Sequence, residues 1–363
     1  MGRQAVGADQ VARTLKKKIY RKKFMQTIFT LAIVLFLLTH AASQSRRAAL
    51  APSVDRPQAA TSPGPRATHS LVYDEQLRKV ILLDGTWTAI QPELTEMWSW
   101  DGKRWELIPG SGPTARYASA AVYDSRRKRI VSYGGRVGKK EEIKGDTWEW
   151  DGKSWEQMAD TSAGARDHTM MAYDAARGKT VMYSGGIFPR RPGLWATDTW
   201  EWDGMKWTPV ASQGPVGRFT AMVYDGKRKQ VVLFGGVGAP PGGGQPQPNF
   251  NDTWVWDGKS WHEVSNEGPS TRDRHALSFD SRAGVVLLYG GSTTKQQFGD
   301  MWQWDGNRWT EIKMTGPTPG KRSLHAMAYD TARGKTVLYS GNVEGKVLDD
   351  LWEWDGKQWT QVK

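Results

Sequence analysis

The chain has 363 residues, with 40 Gly, 18 Pro, 20 Trp, no Cys and a formal net charge of +12. Without Cys it has no disulfide, no thiolate metal site and no Cys nucleophile. The charge is local: residues 1–43 carry eight Lys/Arg against one Asp, leaving +5 for the other 320, so no nucleic-acid partner is expected.

Residues 1–24 form a basic segment containing Lys16-Lys17-Lys18 and Arg21-Lys22-Lys23. Residues 25–43 follow with an apolar run from Ile28 to Leu38 and end in Ala41-Ala42-Ser43, with Ala41 and Ser43 at positions −3 and −1 of a cleavage site. This pattern is that of a signal peptide. Left uncleaved, the nineteen residues from Phe24 to Ala42 have the length of a membrane anchor. Both readings keep the basic end inside and export the rest, so membrane contact is expected only through this segment. Residues 44–65 are rich in Ala, Ser, Pro and Gln and read as a flexible linker.

From residue 66 to 363 one unit recurs six times. Trp pairs stand at 98/100, 148/150, 200/202, 254/256, 302/304 and 352/354, each followed by Asp-Gly and a third Trp at 105, 155, 207, 261, 309 or 359. The Asp-Gly steps are spaced by 50, 52, 54, 48 and 50 residues. Trp at i and i+2 share one face of a strand. Asp-Gly marks a hairpin. A two-residue turn sets Trp148 opposite Trp155, whereas a four-residue loop sets Trp150 opposite Trp155. Either register gathers three rings on one face, each ring burying about 150–250 Å². A four-stranded sheet cannot cover such a face alone and must press on a neighbour.

Upstream of each Trp pair the repeats share an Arg, an inner strand ending in Tyr-Asp or Phe-Asp, and a second strand ending in a Gly doublet. The doublet is intact at 134/135, 185/186, 235/236 and 290/291, and becomes Asp84-Gly85 and Gly341-Asn342 in the outer copies. With His69, His275 and His325 inside the first strand and the downstream Trp, this pattern resembles the kelch repeat over residues 66–363, in the Trp-Asp-Gly-x-x-Trp form of bacterial exported proteins. Ser119, Thr169 and Thr220 depart from it at the His position. The resemblance implies an all-β, six-bladed kelch-type propeller with four antiparallel strands per blade. Contiguous repeats predict closure without an exchanged strand.

In such a meander of strands a, b, c and d, the b–c loops and d–a connections share one face. The varied b–c loops, 136–145, 187–197 and 237–251, make that face the expected binding surface. It carries Arg66, Arg116, Arg166, Arg218, Arg272 and Arg322, one per blade, read either as an anion site at the channel mouth or as hydrogen-bond donors to their own connections. The third blade adds Phe188, Arg190, Arg191 and Trp195, a set suited to anchoring a ligand or to packing its own loop. The histidines read as core residues rather than metal ligands, and no cofactor is expected. Two functions follow. One is a monomeric, noncatalytic exported scaffold that binds a protein or glycan. The other is a cofactor-free carbohydrate-active enzyme such as a sialic-acid mutarotase, which the resemblance allows and which needs a carboxylate and an Arg; Glu141, Glu142 and Asp198 are candidate acids, though Asp198 has counterparts in most blades and so reads as structural. A Tyr–Cys radical oxidase is excluded for want of Cys.

Overall fold

The computed structural model describes residues 61–362 except 86–95, 111, 139, 159, 188–194 and 239–247. The signal or anchor segment, linker residues 44–60, and Phe188, Arg190 and Arg191 lie outside the described residues. Among those described, six four-stranded antiparallel meanders stand in chain order and no helix occurs. Their innermost strands a are Ser70–Asp74, Ala120–Asp124, Met170–Asp174, Arg218–Asp225, Ala276–Asp280 and Ala326–Asp330. The outermost strands d begin at the six third Trp.

The register is the four-residue loop, with Trp100 opposite Trp105, Trp150 opposite Trp155, and the same in all six blades. A type I′ turn needs positive φ at both central residues. Here only the glycine supplies it, Gly152 at 93°, while Asp151 does not. The Asp side chain decides the outcome: Asp151 Oδ1 accepts the amides of Lys153 and Ser154, both at 2.8 Å, and closes a wider loop.

The Trp face of each blade presses into the preceding blade. Six apolar clusters result, one per interface, such as Trp202 and Trp207 against Val131, Tyr133 and Ala163. The third Trp is also hydrogen-bonded across the interface in four blades: Trp207, Trp261 and Trp309 donate to Thr147, Thr199 and Thr253 at 2.8–2.9 Å, and Trp155 to Met97 Sδ at 2.9 Å. Between blades 6 and 1 the same interface closes the ring, with Trp105 set on Tyr339 at 5.1 Å and Trp100 Nε1 donating to Glu353 at 2.9 Å. Every blade is one contiguous segment, so no strand is exchanged.

One boundary moves. Residues 61–65, assigned to the linker, belong to the propeller. Pro63 is buried, and Gly64 O accepts the Tyr339 hydroxyl at 2.8 Å. Tyr289 makes the same bond to Gly320 O in the d–a connection at the next interface. Ser62-Pro63-Gly64-Pro65-Arg66 is thus a sixth connection, comparable with Ser162-Ala163-Gly164-Ala165-Arg166.

Candidate functional site

The six arginines are committed within their blades. Each is at most 3% exposed and pairs with an acid at the start of strand c: Glu96, Asp146, Asp198, Asp252, Asp300 or Asp350, at 2.5–3.3 Å. The same acid accepts the first Trp Nε1 at 2.7–3.2 Å. The guanidinium also donates to the carbonyl eighteen or seventeen residues on, at 2.8–3.3 Å. An incoming anion would have to displace a paired, half-buried carboxylate, so this geometry favours the arginines as hydrogen-bond donors within their own blades over an open anion ring. Burial works against ionising Asp146, Asp198 and Asp300, but the hydrogen bonds and charge of their arginines hold them below the usual carboxylate range.

What remains available is the channel mouth. The residue just before the His, Ser or Thr position sits in the left-handed region in five blades: Thr68, Ala118, His168, Arg274 and Leu324, at φ of 49–59°. This kink turns the backbone into a collar. Thr68, Ala118, His168 and Leu324 donate their amides to the carbonyls of Leu324, Thr68, Ala118 and Arg274 in the preceding blades, at 2.8–3.3 Å. The collar breaks at blade 4. Two residues separate Arg166 from Thr169, but only Phe219 separates Arg218 from Thr220. Without the kinking residue, strand a runs straight through Arg218–Asp225 with an irregular register between Phe219 and Ala221. Among the described residues no collar bond uses the carbonyl of His168 or the amide of Arg274.

Below the mouth lies a cavity of about 140 Å³. His69, His275 and His325 line one arc and Ser119, Thr169 and Thr220 the other, with His168, Phe219 and Arg274 at the rim. Each of the three histidines sits edge-on to an aromatic ring of the preceding blade, at 5.6–5.8 Å. The rings lean toward the carbonyls of Tyr339, Phe234 and Tyr289 without forming hydrogen bonds of good geometry. Burial, then the nearby arginines, pushes His69 and His275 down to about 3 and His325 well below its usual value, so all three are neutral core residues. No group of three or more His, Asp or Glu among the described residues is placed to hold a metal.

Three features at or beside this rim have contacts that the sequence reading did not assign. Arg274 is 41% exposed, with Nη1 at 2.9 Å from Asp273. His168 packs edge-on to Phe219 at 4.8 Å and stands 3.5 Å from Asp167, which also pairs with Arg136 of blade 2. Asp84 accepts the Ser119 hydroxyl at 2.5 Å; desolvation raises its pKa against the pull of Arg116 and that hydrogen bond. The signals were present as the short Arg218–Thr220 spacing and the Asp84 substitution in the Gly doublet. Trp195 packs its own loop: it bridges to Gly186 in its own blade and stacks on Phe219, 6.4 Å away and 11° from parallel. The proposed acids are engaged, Glu141 by Tyr117 and Arg136, Glu142 by Lys144, and Asp198 by Arg166 and Trp200.

The family model described as the KLHDC2/KLHL20/DRC7 Kelch-repeats domain matches residues 220–363. A solved structure titled "Structure of YjhT" superposes with a TM-score of 0.65 at 11% identity, covering 83% of this chain and 99% of that one. No curated protein matches the chain. The match to Kelch repeats thus covers the last three blades, and at this identity the likeness to YjhT shows the shared fold alone.

Proposed function

We propose that this chain is an exported, noncatalytic binding scaffold that engages a protein or glycan through the face carrying the b–c loops and the channel mouth. One observation carries the reading. The architecture repeats sixfold, but the rim residues Thr68, Ala118, His168, Phe219, Arg274 and Leu324 are all different, and they surround the one break in the collar. Packing does not require that variety, whereas recognition uses it. Export rests on residues 1–43 alone. The test is a glycan-array and protein-capture screen with the wild type beside His168→Ala/Arg274→Ala. Loss of the ligand with an unchanged melting temperature supports the reading. A ligand retained by the double variant removes the channel mouth from the reading, and a screen that yields no ligand overturns it.

A second reading, a cofactor-free carbohydrate-active enzyme, is favoured by Asp84. It is an acid of raised pKa, hydrogen-bonded to a hydroxyl that lines the same cavity as Arg274. NMR of sugar anomer exchange decides it: acceleration by the wild type that disappears in Asp84→Asn establishes the enzyme.

A further inference from the structure

The b–c face holds a second recess, away from the channel, between blades 2 and 3. It is an open groove of about 530 Å³ lined by Thr114, Lys144, Gly145, Asp146, Trp148, Gln157, Thr161, Gly164 and Ala165. That volume lies within the range of about 300–1,000 Å³ typical of ligand sites.

Its origin is a missing lid. Two residues before the acid of each Arg–acid pair, blades 4 and 5 carry Phe250 and Phe298. Their rings lie against the guanidinium groups of Arg218 and Arg272, at 4.0 and 4.1 Å. Lys144 is the same position in blade 2, because its carbonyl accepts the amide of the next blade's Arg166 at 3.0 Å. The carbonyls of Phe250 and Phe298 accept those of Arg272 and Arg322 in the same way, at 3.1 and 2.9 Å. Lys144 turns outward to Glu142 at 2.6 Å instead of covering the pair. Gly145 keeps the floor low, since a Cβ there would meet the Gly164 backbone at 2.7 Å.

We propose that this groove binds a neutral oligosaccharide chain, a claim that rests on the binding-face reading above and locates its ligand. The groove offers no free charge: Asp146 is spent on Arg116 and Trp148, and Lys144 on Glu142. No hydrogen bond among the described residues uses the side chains of Thr114, Gln157 or Thr161, all exposed at the lip, so they are free to meet sugar hydroxyls. Gln157 stands opposite Trp148 in the sheet, setting an amide beside an indole. A peptide strand fits worse, because it needs an open backbone edge. Here the Lys144 amide and carbonyl are bonded to Gly135 and Arg166, and Gly164 to Thr161 and the Tyr133 hydroxyl.

The experiment is saturation-transfer NMR and calorimetry with cellotetraose and chitotetraose at millimolar concentration. The wild type should bind at least one of them saturably. Lys144→Phe, which installs the lid of blades 4 and 5, should weaken that binding at least tenfold with the melting temperature unchanged or raised. Should Lys144→Phe misfold, Gln157→Ala/Thr161→Ala, changed only at the exposed lip, should weaken it by a similar factor. Saturable binding unaffected by the variants, or a wild type that binds neither sugar, overturns the groove. A ligand from the broad screen that is lost in His168→Ala/Arg274→Ala but kept by Lys144→Phe overturns the groove alone and leaves the binding-face reading standing.

Discussion

The interfaces between blades and the collar at the channel mouth are built from the same six repeats, yet they obey different rules. At the interfaces almost nothing varies. Each Trp triad enters the preceding blade, and beside it, within each blade, the buried Arg, its acid and the first Trp form the same closed set. At the collar the backbone repeats five times and fails once, and the side chains never repeat. The interfaces leave little tolerance, because a ring of blades is as stable as its weakest junction and each ring system fills a close-packed space. The collar is a backbone structure whose side chains are not held to one repeated packing pattern, so the sequence is freer there.

The contrast predicts the largest losses at the interfaces. Trp202 is 1% exposed and donates Nε1 to Glu149 at 2.7 Å. Trp202→Ala should cost about 3–5 kcal/mol in chemical denaturation, from lost burial, a cavity and a lost hydrogen bond. Arg322→Ala strips Asp350 of its partner and should cost about 3 kcal/mol or more. Arg274→Ala, at the collar, should stay within about 0.5 kcal/mol. A Trp202 loss no larger than the Arg274 loss would erase the distinction between the two regions.

That distinction also marks how far the sequence could be read. Period, Trp spacing and the Gly doublets disclosed the blades because each is a repeated answer to a repeated packing problem. The turn register stayed open between two loops because it depends on whether Asp151 adopts positive φ or caps amides with its side chain, a choice of about a hydrogen bond's worth. The arginines were legible as a ring but not as to role, since the acids that neutralise them lie some 30 residues on and were noted only at Asp198, as structural. The break at blade 4 is one missing residue in a two-residue spacer, visible only once the spacer is known to carry the kink. The lid lost at Lys144 was beyond reach for the same reason: nothing in the sequence marks that position as facing the Arg–acid pair.

Acid should weaken the interfaces by a route the collar side chains do not share. In the unfolded chain His69, His275 and His325 take up protons near pH 6.5, and in the folded chain His69 and His275 do so only near 3 and His325 well below its usual value. Folded pKa values below unfolded ones mean that this stability is complete above about pH 6.5 and is lost as pH falls toward 3. The loss approaches about 1.4 kcal/mol per pH unit for each ring, before the Asp–Arg pairs begin to titrate. His275→Thr borrows the residue that blades 3 and 4 use, where Thr169 donates to backbone carbonyls at 3.1–3.3 Å. It should flatten the stability profile between pH 6.5 and 4 by about a third, whatever it does to stability at neutral pH. An unchanged slope in urea titrations at stepped pH would mean that the rings ionise inside the fold.

Repairing the collar should also leave stability nearly unchanged. Inserting one Gly between Phe219 and Thr220 restores the two-residue spacer of the other five blades and puts the Gly at the kinking position. Glycine takes the left-handed conformation at no steric cost, so the kink can form and the amide of Arg274 and carbonyl of His168 can find their inter-blade partners. Two backbone bonds gained at a solvated rim offset the disturbed register of strand a, so the net change should be within about 1 kcal/mol of zero. Binding at the mouth should nevertheless fall, because Phe219 would shift away from His168 and Trp195 and the rim would approach sixfold regularity. If the insertion instead costs several kcal/mol, the straight strand of blade 4 is a packing requirement of the ring, and the break in the collar is architecture rather than a place made for a ligand.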